Sequence, residues 1–291
     1  MLLRVYKLNG SFVEVPKGSA EPLMNRVAKV LGLKDSSQKY FTLAKGNSLE
    51  RPLSILTGRE EHSIEESDVV CVRKWCFDVA DESKLISTDD VALNLIFQEA
   101  FYGVNSGRLQ PNDEQRAELD SYCDPSFPVE KQYVLLCHRL SEYNRIDVHD
   151  CQVVEQTKVN GHNLTSGTQL SINLTTVGIR LVDAKNGKSI DYSPWQKIRG
   201  WRFSQSEKIF SYEIALVNPQ MEYTFVWIVI RTEQLSYILS VIDEIVVRVK
   251  TKLDGPKSFL PRPFTGQEKS GLRSFVNDLF SIGKSDNFST I

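Results

Sequence analysis

The chain has 291 residues, enough for two or three lobes that each bury a core of their own. Its 35 basic and 37 acidic residues leave a net charge of -2, so no global field draws it to nucleic acid or to an anionic membrane. Hydrophobic and charged fractions of 41% and 25% are those of an ordinary globular protein, and no apolar run approaches the roughly 20 residues that span a bilayer. The start, Met1 to Lys7, lacks the apolar stretch of a signal peptide because Arg4 and Lys7 interrupt it. Five cysteines (Cys71, Cys76, Cys123, Cys137, Cys151) show no regular spacing. Free thiols in a reducing compartment are the expectation, and the sequons at Asn163, Asn173 and Asn287 are then idle.

Residues 1–76 read as a first lobe. Asn9-Gly10 between two alternating apolar runs predicts a hairpin of Leu2–Leu8 with Phe12–Val15, closed by a type I′ turn. A helix follows from Pro22, with Leu23, Val27, Val30 and Leu31 on one face and Gly32 as its stop. Short segments at Tyr40–Leu43 and Val69–Val72 complete a ββαβ…β order, that of a ubiquitin-like roll. Residues 77–149 are expected to be helical. Ser87 to Asp90 fits a capping box, and the helix from Val91 to Phe101 is apolar on nearly every side, as in a buried bundle. Gly103 and Gly107 are its expected end, with further helices from Pro111 and around Val129–Leu140.

Residues 150–252 switch to period two. Strands are predicted at Gln169–Thr175, Gly178–Val182, Ile198–Phe203, Ile209–Leu216 and Tyr223–Ile230, with turns at Lys185–Lys188 and Asn218-Pro219. The period then becomes helical, with Thr232 as N-cap and Leu235, Ile238, Leu239, Val241, Ile242, Ile245, Val246 and Val249 on one broad face. A small β-sandwich capped by one helix leaves a groove where a peptide can add as a strand. Residues 253–291 form a tail. It opens on a Pro/Gly-rich linker, Asp254–Gln267, and carries a short amphipathic candidate, Leu272–Phe280.

The order of ubiquitin-like, helical and phosphotyrosine-binding-like (PTB/PH-like) lobes resembles the FERM module, an α+β, three-lobe architecture. Val72-Arg73-Lys74-Trp75 leading to Asp89–Leu95 is similar to the join of the first two lobes in the FERM-containing sorting nexins (the sorting nexin 17, 27 and 31 group). Ile198–Phe203 resembles the fifth strand of their third lobe, where an Arg-x-Trp-Arg sequence recurs, and Val241–Val246 resembles its closing helix. The resemblance covers residues 1 to about 250. Those sorting nexins carry a phosphoinositide-binding PX domain before the FERM module, and the residues from Met1 read directly as its first lobe. A fragment, an isoform and a divergent relative all fit that start.

What the resemblance implies is a non-enzymatic adaptor, peripheral on early and recycling endosomes. Its third lobe binds NPxY-type sorting signals in receptor tails, and its first lobe is associated with Ras-type small GTPases; contact with a phosphoinositide membrane is a further implied partner. The implied peptide site is Arg199, Gly200, Trp201, Arg202 and Phe203 on the strand, with Ile242 and Val246 on the helix. A GTPase effector and a membrane–cytoskeleton linker are the alternatives. On the residues alone, Trp201 beside Gly200 fits a peptide wall and a core tryptophan equally well, and the Ile242/Val246 stripe is one that cores also use. His149-Asp150-Cys151 is no triad, because a triad is spatial, and no G-x-S-x-G, HExxH, P-loop or kinase signature occurs. No catalysis, cofactor or metal is therefore expected. In the tail, Asp278-Leu279-Phe280 and the terminal Ser289-Thr290-Ile291 have the form of short coat-protein and PDZ ligands, a match that a solvated tail gives by chance.

Overall fold

The first hairpin forms where Asn9-Gly10 predicts it, with a different turn. In the computed structural model, which describes residues 2–19, 21–57, 63–123, 129–217 and 223–253, β1 (Leu2–Tyr6) pairs antiparallel with β2 (Phe12–Pro16). Gly10 has φ 82° while Asn9 is not in the left-handed region, so the turn is not type I′. Asn9 Oδ1 instead accepts from Ser11 N (3.0 Å) and Ser11 Oγ (2.7 Å), which satisfies the loop with a single left-handed residue.

Helix α1 (Leu23–Leu31) buries Leu23, Val27 and Ala28 and stops at Gly32, whose φ of 78° suits a residue without Cβ. After the short α2 (Asp35–Gln38) come β3 (Phe41–Gly46), β4 (Pro52–Leu56) and β5 (Val69–Lys74). The five strands lie in the order β2-β1-β5-β3-β4, with β1 and β5 parallel and the other pairs antiparallel. Alternate residues Val5, Val15, Leu43, Val70 and Val72 face one core with α1.

Four helices follow: α3 (Val79–Leu85), α4 (Asp90–Asn105), α5 (Asp113–Ser121) and α6 (Glu130–Cys137). The expected box from Ser87 is not the cap of α4. Asp89 is, its carboxylate accepting from Val91 N (3.1 Å) and Ala92 N (3.2 Å). Nor does Gly103 end the helix, which runs on to Asn105; its missing Cβ leaves room for Arg108 and Leu109. Pro111 precedes the true cap of α5, Asn112, which forms a capping box with Gln115. On α4, Ala92, Leu95, Ile96, Ala100 and Val104 are buried but Phe101 is exposed, so the helix is not buried all round.

Two ion pairs sit inside this half. Arg73 grips Glu99 with two bonds, 2.8 and 3.1 Å, joining β5 to α4. Lys74 Nζ donates to Glu82 Oε2 (2.9 Å), and the other oxygen of Glu82 takes the Tyr143 hydroxyl (2.5 Å) and lies 3.0 Å from His138 Nε2. Glu82 is fully buried. Burial raises its pKa, but the Lys74 charge and the bonds from His138, Tyr143 and Lys74 outweigh that and hold it at about 2.

The rest is β6 (Ile146–Val153), β7 (Thr157–Val159), β8 (His162–Leu164), β9 (Gln169–Thr175), β10 (Gly178–Asp183), β11 (Ser189–Pro194), a 3-10 turn (Trp195–Lys197), β12 (Ile198–Ser204), β13 (Ile209–Val217), β14 (Tyr223–Arg231) and α7 (Leu235–Leu253). Seven strands form one sheet in the order β11-β10-β9-β6-β14-β13-β12. Strand β6 escapes the sequence pattern because Asp150 (φ 53°) breaks its alternation of Val148, Cys151 and Val153. Thr232 lies three residues before the first residue of the last helix, Leu235, instead of capping it directly; its hydroxyl accepts from Gln234 N at 3.2 Å. The described residues divide into two compact units, one up to Asp147 with Ser236–Ser240, and the other Val148–Leu235 with the rest of the last helix from Val241. The expected Asn218-Pro219 turn, the linker, the Leu272–Phe280 helix and the terminal motif lie outside the described residues.

Candidate functional site

Strand β12 is the last strand of the seven-stranded sheet and, among the described strands, pairs with β13 alone. Four strands end the two large sheets, and three contain a proline: Pro16 in β2, Pro52 in β4 and Pro194 in β11. A proline on an edge removes a donor and blunts further pairing. Strand β12 has none.

Its register explains which way each side chain faces. Trp201 lies opposite Tyr212, Arg202 opposite Ser211 and Phe203 opposite Phe210. Between Ile198 and Gly200 the register slips by one residue, so Arg199 is the extra residue of a β-bulge. Without it, Arg199 and Arg202, three apart, would face opposite sides of the sheet. With it they share one side. Arg199 stacks on Phe225 (3.9 Å to the ring centre) and reaches Glu213 (3.3 Å), while Arg202 stacks on Trp227 (4.0 Å). Phe225 and Trp227 alternate along β14, so four side chains make a ladder of cation on ring.

Trp201 faces the other way. It is only 8% exposed, against a fully buried Tyr212, so it is mainly a core side chain and offers little of the flat wall that a peptide would need. Gly200, by contrast, stands open: a Cβ built there meets nothing within 4 Å. Neither its own packing nor a positive φ requires a glycine. Gly200→Ala is therefore expected to keep the fold and to raise stability by up to about 1 kcal/mol, which urea unfolding measures.

The two helix positions fare differently from the strand. Ile242 is fully buried, so it has no surface to give to a peptide; a broad apolar stripe placed it in the core, and it cannot line an open groove. Val246 falls one turn later in α7, with its side chain outside the described residues. The structure thus brings Arg199 to Phe203 together on one strand that, among the described strands, is the last of its sheet, while Ile242 lies in the core. What sequence reading missed is the ladder. Its signal was the period-two pair Phe225 and Trp227 on β14, which the two arginines of β12 reach across β13, and the parity change at Arg199 hid it.

Three of the five thiols are poor nucleophiles. Burial pushes Cys71, Cys137 and Cys151 up to about 12, so none is a thiolate near neutral pH. Among the described residues no group of three His, Cys, Asp or Glu could hold a metal ion, and no helix is long and apolar enough to cross a membrane.

No family model matches the sequence, and no curated protein does. Solved structures do. A MyTH4-FERM domain of Dictyostelium discoideum myosin VII (MF2, mutant 1) superposes with a TM-score of 0.57 at 13% identity, over 85% of this chain and 60% of that one. The human myosin 7b C-terminal MyTH4-FERM domain, solved in complex with the harmonin-a PDZ3 domain, follows at 0.49 and 13%, over 87% and 60%. The Dictyostelium MF1 domain gives 0.48 and 14%, over 86% and 60%. The chain spans about 60% of the length of these solved chains. At such identity the first likeness speaks to fold alone: the chain has a FERM-like, mixed α and β fold.

Proposed function

We propose that this chain is a non-enzymatic, three-lobe FERM adaptor that captures a short extended peptide as an added strand on β12. The observation that carries the reading is that β12 is the one outer strand of the two large sheets with no proline, and that Gly200 opens space beside it. Backbone bonds to a free edge supply affinity, and flanking side chains choose the sequence. The resemblance of Ile198–Phe203, and of Val72–Trp75 leading to Asp89–Leu95, to the FERM-containing sorting nexins favours NPxY-type signals of receptor tails as the peptide, with endosomal recycling as the process served. An Asn-Pro turn ends an extended segment cleanly, which suits a ligand that pairs and then leaves the edge.

Peptides N-methylated on alternate amides test this without altering the protein. Methylating the amides that face β12 deletes donors worth about 0.5–1.5 kcal/mol each and blocks close approach, so one methylation phase should lose at least about tenfold in affinity. The opposite phase should bind like the parent peptide. Equal binding of both phases contradicts strand addition. A second reading, a Ras-type GTPase effector, draws on the β1–β2 hairpin, where Leu2 and Phe12 are 59% and 45% exposed. GTP-dependent capture of a Ras-type GTPase that Phe12→Ala abolishes would support it.

A further inference from the structure

We infer that the arginine ladder beside β12 makes this edge selective for acidic peptides, specifically for a carboxylate on every second residue of the added strand. The inference rests on strand addition at β12 and refines it. Lys197, Arg199 and Arg202 fall within six residues, and no acidic residue occurs between Asp191 and Glu207, although the whole chain carries a net charge of -2. The cations are thus concentrated along this outer strand.

Their states differ. Arg199 is shared with Glu213 at 3.3 Å, which neutralises part of its charge. Arg202 is exposed, and its one recorded partner among the described residues is the face of Trp227. A ring holds a guanidinium flat and leaves its N–H edge free, the geometry that grips a carboxylate with two bonds. Side chains of paired strands meet across the edge on the same face. An added strand therefore sets every second side chain on the ladder face, next to Arg202 and over the open space at Gly200. Residues of the other phase point toward the side on which Trp201 is buried, where a charge would lose water.

Three peptides that share one NPxY end separate the possibilities. In the extended segment before the Asn-Pro turn, one carries glutamate at odd positions, one at even positions, and one glutamine throughout. Titrated against the full chain at low salt, one glutamate phase should bind about tenfold tighter than the glutamine peptide and the other phase no tighter. The gain should shrink as salt rises, and Arg202→Gln should erase the difference between the glutamate phases and the glutamine peptide. Two glutamate phases that bind alike, or a phase preference that survives Arg202→Gln, would overturn the inference while leaving strand addition intact. Binding by none of the three peptides would overturn both. Arg202-dependent binding to phosphatidylserine vesicles, with no phase preference among peptides, would reassign this face to a lipid surface and overturn the inference as well.

Discussion

Glu82→Ala is expected to destabilise the Met1–Asp147 unit by about 3–5 kcal/mol, the loss typical when one partner of a buried ion pair is removed. The cause is what it leaves behind. Lys74, whose side chain is 8% exposed, would lose its charged partner and keep Asn144 Oδ1 (2.8 Å) and the face of the Tyr143 ring (4.1 Å), and the buried Tyr143 hydroxyl would lose its acceptor. Glu82→Gln keeps an acceptor oxygen but not the charge, so it should fall between. The same carboxylate sets an acid limit. Its folded pKa is about 2, below the ordinary 4.5, so its contribution is complete above pH 4.5 and drains away as pH falls toward 2. A displacement of that size corresponds to roughly 3 kcal/mol. Urea unfolding at pH 7, 4 and 3 measures both effects. A Glu82→Gln variant with the same loss of stability between pH 7 and 3 as wild type would contradict this assignment.

Trp201→Ala should also act on stability, lowering it by about 3–5 kcal/mol as a large-to-small core change does. Ile242→Ala should cost about 2–5 kcal/mol on the same grounds. Both residues belong to the strand and helix that sequence resemblance marks as the peptide site, and both are buried, at 8% and 0% exposure. Peptide affinity measured on the folded fraction should change little for Ile242→Ala. If Ile242 lined a groove, affinity would fall while the unfolding midpoint stayed in place.

Much of the architecture is legible in the residues, for physical reasons. Gly32 can stop α1 because its φ is 78°, and the period-two runs of β9, β10, β13 and β14 declare themselves because one side of each is buried. Strand β11 is silent for the opposite reason: Ser189, Asp191 and Pro194 have low strand propensity, and Asp191 is buried only because Asn160 and Ser193 donate to it. Nor does any local pattern report that Lys74 will meet Glu82 and Tyr143 inside the fold, since that network is assembled from distant segments. That Ile198–Phe203 forms a strand was legible, and the way its side chains face was not. One inserted residue at Arg199 reverses the facing of every position before it, and spacing alone cannot show a bulge.

The claim that β12 accepts a peptide backbone is tested most directly by amide hydrogen exchange on the full chain, with and without an NPxY peptide. Ile198–Ser204 should gain protection on binding, confined to the amides that face away from β13, while the proline-bearing edges β2, β4 and β11 stay unchanged. Saturating peptide that protects another edge, and leaves the β12 amides exchanging as in the free chain, would contradict the account.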